Sequence, residues 1–298
     1  IFMTAYSDTD KAVRAIKAGA TDFVSKPWET EKLLATLSSA VKLSHSRKEV
    51  GRLRERMDAL RGDDLPELIG DSPAILRVRD TILKLADTDA NILITGENGT
   101  GKDLVARLLR HFSPRRDEVF VTIDLGSIPE QLFESELFGY EKGAFTDARR
   151  SKPGRMEAAS GGTLFLDEIG NLSLPMQAKL LTAIEKRYIT RLGAVEPIPI
   201  DVRLICATNA NLREQVGDGL FRQDLLYRIN TIELAIPPLR ERGNDILLLA
   251  EHFLAHYSRK YKKAIHGLNR EAGAKLMKYP WPGNVRELRQ KIMGAVLQ

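Results

Sequence analysis

One cysteine, Cys206, stands among 298 residues, so no disulfide can close within the chain, and this usage fits a reducing, cytoplasmic setting. No apolar run approaches the ~20 residues that a membrane-crossing helix needs, which argues against a membrane protein. No long tract of like charge is present either. The 45 lysines and arginines are scattered among 40 acids, and the formal charge of +5 reads as a mixed, solvated surface. It is compatible with nucleic-acid partners without pointing to them. Low-complexity segments, internal repeats and a targeting signal are all missing. The first residue is Ile1 rather than methionine, which leads us to expect part of a longer protein. What is present, 43% hydrophobic and 29% charged residues, is ordinary for a globular chain with one large domain and one or two smaller pieces.

Residues 1–28 alternate strand, helix and strand: an apolar run at Ile1–Ala5, an amphipathic stretch at about 8–18 stopped by Gly19, and Asp22–Ser25 before Lys26-Pro27. The pattern suggests the end of a parallel α/β domain too small to fold alone. Residues 29–64 read as a linker helix; Leu43, Val50, Leu53, Met57 and Leu60 fall near 3-4 spacing. A weak coiled coil and a lone amphipathic helix packed on its own domain both fit that spacing. Gly62-Asp63-Asp64-Leu65-Pro66 breaks the helix. From 65 to 241, buried-type strands at 91–95, 120–124, 163–167, 202–207 and 231–236 alternate with helices at about 73–87, 101–112, 173–187 and 219–228. That alternation predicts a mostly parallel sheet covered on both faces. Residues 242–298 carry no convincing strand and predict a small helical subdomain.

Gly96-Glu97-Asn98-Gly99-Thr100-Gly101-Lys102 lies between a predicted strand and a predicted helix. Glycines there let backbone N–H groups turn towards a triphosphate, the helix N-terminus adds positive potential, and Lys102 reaches the β- and γ-phosphates. Asp103 occupies the position where a serine or threonine usually meets magnesium, so that ligand must come from elsewhere. Thr163–Glu168 supplies it as an apolar strand ending in two acids. Asp167 holds Mg2+ directly or through water, and Glu168 polarises the attacking water. Alone, such a pair is also what two solvated acids after a buried strand look like. Thr208-Asn209 ends a third strand at the edge where open parallel sheets bind ligands; Asn209 reads either as a γ-phosphate sensor or as a turn residue. Arg222 and Arg228 are ordinary surface charges in a monomer, but in a ring they could reach a neighbour's nucleotide.

Gly139–Ala148, reading GYEKGAFTDA, closely resembles the GAFTGA loop of sigma-54-dependent activators of the NtrC type. Glu134–Phe138, Gly161-Gly162, Pro237–Arg242 and Trp281–Leu288 agree with the same family over about 67–290. The resemblance implies an AAA+ P-loop ATPase: an α/β fold with a parallel sheet sandwiched by helices, then a C-terminal helical lid. It implies ATP and Mg2+ as cofactors, and a ring, usually a hexamer or heptamer, that remodels the closed complex of sigma-54 RNA polymerase. By matching position, Lys102 is the Walker A lysine, Asp167 and Glu168 the Walker B pair, and Thr208 and Asn209 sensor I. Arg222 and Arg228 match the trans-acting arginines and Arg286 the sensor II arginine; Ile69 and Gly70 match the adenine-pocket segment, and Phe145 and Thr146 the loop tip that meets sigma-54. Another AAA+ remodeller, such as a helicase loader, does not explain the loop at 143–148.

Residues 1–28 resemble the end of a response-regulator receiver, with Thr4 as switch hydroxyl, Phe23 as switch aromatic, and Lys26 in the lysine-proline pair. That implies control by a sensor histidine kinase, an inactive dimer that gives way to the ring, and enhancer DNA bound through a C-terminal domain absent from this chain. Three departures stand out. Asp147 replaces the usual loop glycine, trading backbone freedom for a charge at the contact. Asp124 replaces an asparagine that restrains the Walker B glutamate, which sets two carboxylates against each other. Asp103 departs only from the general motif, since many relatives carry glutamate there. The first departure leaves open a regulatory ring that binds nucleotide without engaging sigma-54.

Overall fold

The computed structural model describes residues 2–4, 23–25, 34, 67–265 and 267–298, and it divides into two units, Ile1–Leu65 and Pro66–Gln298. In the first, β1 (Phe2–Thr4) and β2 (Phe23–Ser25) pair in parallel, with Phe2 opposite Phe23 and Thr4 opposite Ser25. A parallel pair needs a crossover connection. The helix expected there, Lys26, and all of the expected linker except the helical Leu34 lie outside the described residues.

The second unit begins with α1 (Pro73–Ala86), β3 (Ile92–Thr95), α2 (Lys102–His111) and β4 (Phe120–Asp124). Next come α3 (Phe133–Leu137), β5 (Gly139–Tyr140), β6 (Lys152–Pro153), α4 (Arg155–Ala158) and β7 (Thr163–Asp167). They are followed by α5 (Leu174–Lys186), β8 (Tyr188–Ile189), β9 (Ile198–Pro199), β10 (Arg203–Thr208), α6 (Leu212–Gly217), α7 (Gln223–Ile229) and β11 (Ile232–Ala235). The chain then runs through α8 (Asp245–Tyr261), α9 (Arg270–Lys278) and α10 (Asn284–Leu297).

Local chemistry sets several of these boundaries. Ser72 caps α1 by accepting from the Ile75 N–H, and Pro73 takes the first helical position, where its missing N–H costs nothing. Asn211 and Asn269 cap α6 and α9 in the same way. The strands match the expectation to within one residue at most ends, whereas the helix expected at 219–228 starts only at Gln223. Gly219 is left-handed at φ 70° and Arg222 is extended, so neither continues a helix. The sequence reading missed α3, α4 and α6 and the short ribbons β5–β6 and β8–β9, which are too brief to show a period.

Five strands form one parallel sheet in the order β11-β3-β10-β7-β4. Alternation along each strand divides its side chains between two cores. Leu93, Leu164, Leu166, Leu204 and Cys206 join the core under α3, α5 and α7. Ile92, Ile94, Phe165, Ile205 and Ala207 join the one under α1 and α2. All six residues of β10 are buried, as a central strand covered on both faces requires. A third core, built on Leu249, Leu254, Trp281, Leu288 and Ile292, closes the helices after Pro238. Register brings the C-terminal ends of the strands to one edge: Thr208 pairs with Thr95, and Asp124 with Asp167.

Candidate functional site

That edge carries the loop between β3 and α2. Gly99 and Gly101 are left-handed, at φ 79° and 105°. A Cβ on Gly99 would run into the Gly283 carbonyl, so glycine is required there for space as well as for conformation. The Gly96 N–H donates to the Thr208 carbonyl at 3.3 Å, tying the loop to the end of β10. Lys102 opens α2 and is 7% exposed; its Nζ donates to the Gly96 carbonyl at 3.0 Å and lies 3.8 Å from Glu168 Oε1. Asp103 points away from this group, and its carboxylate accepts from Arg107 Nε at 3.2 Å on the exposed face of α2.

Asp167 ends β7, and its Oδ1 accepts from the Glu168 N–H at 3.0 Å. Burial and then the Glu168 carboxylate raise its carboxyl above the ordinary range, against a smaller lowering from Lys102. Glu168 is left-handed, at φ 56° and ψ 46°, a strained conformation for a residue with a side chain. Asp124 Oδ1 accepts from the Gly126 N–H at 3.0 Å, and no hydrogen bond joins Asp124 to Glu168 among the described residues, so the Glu168 restraint expected of an asparagine at this position differs here. The arrangement as a whole, a half-buried pair of acids facing one ammonium and a glycine-rich helix N-terminus, suits a polyanion carrying a divalent cation.

Other expected residues fall at varying distance from this centre. Thr208 is buried, and its Oγ1 accepts from the Ala210 N–H at 3.0 Å; Asn209 is exposed beside it. Ile69 packs on the lid core, and the Gly70 carbonyl accepts from Arg79 at 3.0 Å. Arg286 lies against the loop, its N–H donating to the Gly99 carbonyl at 3.3 Å. Arg222 and Arg228 are not brought to the centre: Arg222 pairs with Asp224, and the Arg228 carbonyl accepts from Asn91, at the opposite end of β3 from the loop. Sequence reasoning gave no role to Arg240, Arg242 or Asn284, all of which bond the phosphate loop. The only signal was that they sit in the two stretches that resemble the family after residue 236.

The GAFTDA segment projects between the paired strands β5 and β6. Phe145 is 43% exposed and meets Tyr140 edge-on at 4.9 Å, and Thr146 is exposed beside it. Arg191 holds the base of the loop through Glu141 at 2.7 Å and Glu157 at 2.6 Å. Asp147 is exposed and is not among the left-handed residues, so this loop conformation does not call on glycine's freedom there.

Comparison with known proteins agrees with this geometry. Residues 68–235 match the family model "Sigma-54 interaction domain", and residues 240–298 match "AAA+ ATPase lid domain". The transcriptional regulatory protein ZraR of Salmonella typhimurium is 46% identical over 297 residues, covering 100% of this chain and 66% of ZraR. The response regulator protein PilR of Pseudomonas aeruginosa is 43% identical over 290 residues, covering 97% of this chain and 63% of PilR. The chain thus spans about two thirds of the length of these relatives. NtrX from Brucella abortus, solved in complex with ADP, superposes with a TM-score of 0.74 at 34% identity, covering 99% of this chain and 65% of NtrX. Its complex with ATP gives a TM-score of 0.73 at 32% identity, covering 99% of this chain and 62% of NtrX.

Proposed function

The chain belongs to the AAA+ family of sigma-54-dependent response regulators, and on that premise we propose that it hydrolyses ATP to remodel the closed complex of sigma-54 RNA polymerase. The observation that carries the reading is the convergence of Lys102, Asp167 and Glu168 at one edge of the sheet, with Lys102 Nζ 3.8 Å from Glu168. The residues present fit the nucleotide and its metal: the glycines leave a cradle that a Cβ on Gly99 would obstruct, and the raised Asp167 carboxyl is a group that a cation relieves.

In this reading Gly96–Asp103 wrap the triphosphate with backbone N–H groups, and Lys102 turns from the Gly96 carbonyl to the β- and γ-phosphates. Asp167, with Glu168 beside it, would hold Mg2+, which supplies positive charge against the phosphate oxygens. Glu168 orients the attacking water and takes its proton as the water oxygen bonds the γ-phosphorus and the bond to the ADP oxygen breaks. Asn209 senses the γ-phosphate, Arg286 touches the nucleotide from the lid, and Ile69 and Gly70 line the adenine. Arg222 and Arg228 act on a neighbouring subunit's nucleotide, which accords with their distance from the centre of their own chain.

Phe145 and Thr146 carry the motion to sigma-54. The domain arrangement we propose is receiver 1–28, linker 29–64, ATPase 65–241 and lid 242–298. Thr4, Phe23 and Lys26 belong to a receiver switch set by a sensor histidine kinase. Enhancer DNA is bound by a domain outside this chain, and a cytoplasmic dimer gives way to a hexamer or heptamer. Promoter opening by the purified protein with sigma-54 polymerase and ATP tests the proposal. Hydrolysis with no promoter opening would favour the alternative of Asp147-bearing rings that regulate without engaging sigma-54.

A further inference from the structure

Each backbone carbonyl of the phosphate loop from Gly96 to Thr100 has a donor. Lys102 Nζ serves Gly96 at 3.0 Å, and Thr100 Oγ1 serves Glu97 at 2.8 Å. The other three donors come from beyond Pro238: Asn284 Nδ2 to Asn98 at 3.0 Å, the Arg286 N–H to Gly99 at 3.3 Å, and Arg242 Nη2 to Thr100 at 2.9 Å. The Glu97 side chain is held from the same side, by a two-point bond from Arg240 at 2.9 and 2.6 Å and by Asn284 Nδ2 at 3.1 Å. Asn284 is the junction: it is fully buried, left-handed at φ 50°, and its Oδ1 accepts from the Leu239 N–H at 2.7 Å. One amide therefore joins the lid helix, the turn at Leu239 and two points of the loop. A strained residue persists in a fold when its surroundings over-determine it, and these bonds do so.

Tying the carbonyls outward matters because each peptide unit carries its N–H opposite its C=O; a loop whose carbonyls are engaged behind it presents its N–H groups in front. We propose that Asn284 and Glu97 are positioning residues, through which the lid holds the phosphate loop in its anion-binding form. This rests on the nucleotide reading above and adds to it that affinity depends on a lid-to-loop clasp as well as on the loop itself. The lid and the loop then move as one body, so a change in the loop on binding is delivered to the lid through Asn284.

The test is the dissociation constant of a fluorescent ADP analogue, with KM and kcat for ATP, in the full chain. Asn284→Asp sets a carboxylate against Glu97 and removes the donor to Asn98; Kd and KM should rise about tenfold or more, with kcat changed far less. Adding Glu97→Gln restores a donor between the two side chains and should recover at least about threefold of that loss. Arg240→Ala, on an exposed arm of the clasp, keeps the fold and should weaken binding by about two- to fivefold, which decides the matter if Asn284→Asp does not fold. Unchanged Kd in the folded variants, with the unaltered protein binding ADP, overturns the clasp alone. No binding by the unaltered protein overturns the nucleotide reading, and the clasp with it.

Discussion

Lys102 Nζ lies 3.8 Å from the Glu168 carboxylate while donating to the Gly96 carbonyl at 3.0 Å, so one ammonium links the phosphate loop to the end of β7. Glu168→Gln keeps the size of the side chain and removes the base. It should leave ADP binding within about twofold and lower phosphate release by ~10²-fold or more. Retained hydrolysis would remove Glu168 from the role proposed for it.

Arg222 forks onto Asp224 on the surface, Nε to Oδ1 at 3.0 Å and Nη2 to Oδ2 at 2.6 Å, and bonds no residue of its own phosphate loop. Arg222→Ala should lower ATP turnover by ~10³-fold if the arginine completes a neighbour's site. Mixing Arg222→Ala with Lys102→Ala should then restore part of the activity, because some interfaces regain one intact arginine and one intact loop. Turnover that stays normal in Arg222→Ala alone would contradict an arginine acting across subunits.

The Arg240 guanidinium, and then the Asn284 amide, hold the Glu97 carboxyl at about 2, below its ordinary 4.5. A depressed acid stabilises the folded state above the unfolded pKa, and that contribution is lost as pH falls through the folded value. The thermal midpoint of the unaltered protein should therefore drop more steeply than that of Glu97→Gln between pH 4.5 and 2. Glu97 is 41% exposed, so solvent screening keeps the difference small. Parallel melting curves for the two proteins would show the pair to be inert.

Arg203 opens β10 with 1% of its surface exposed, and it donates to the carbonyls of Leu85 at 2.8 Å and Leu109 at 3.2 Å. These are last-turn carbonyls of α1 and α2, so one guanidinium closes two helix ends. Burial lowers its pKa below the ordinary guanidinium value, with Asp89 opposing that shift. Arg203→Met should cost about 1–3 kcal/mol of stability, read as a lower urea midpoint, because the Leu109 carbonyl loses its donor while the Leu85 carbonyl keeps the Thr88 N–H and hydroxyl. An unshifted midpoint would mean that water or the backbone replaces it.

The sheet and the centre of the site were legible for physical reasons. β4 and β7 were bounded correctly because apolar runs end abruptly at Asp124 and Asp167, and Lys102 follows a glycine pattern that has few other uses. The start of α7 was not legible, since Leu220, Phe221 and Arg222 carry side chains that a helix accepts, and the extended backbone of Arg222 is not marked in its residue type. Asn284 and Glu97 meet across 187 residues, and nothing local marks either as the other's partner. The turn of Asp124 onto the Gly126 N–H and of Asp103 onto Arg107 likewise depends on side-chain direction, which spacing does not fix. At Asp147 the expected penalty for replacing glycine does not arise in this loop conformation, and only its charge remains to be weighed.

Binding of sigma-54 by this protein with an ADP–metal fluoride mimic of the transition state, beside an Asp147→Gly control, tests the central claim most directly. The account predicts that the unaltered protein binds sigma-54, because Phe145 is exposed at the loop tip and Asp147 does not strain the backbone. Binding by the glycine variant alone would contradict it and make this chain an ATPase whose target is not sigma-54.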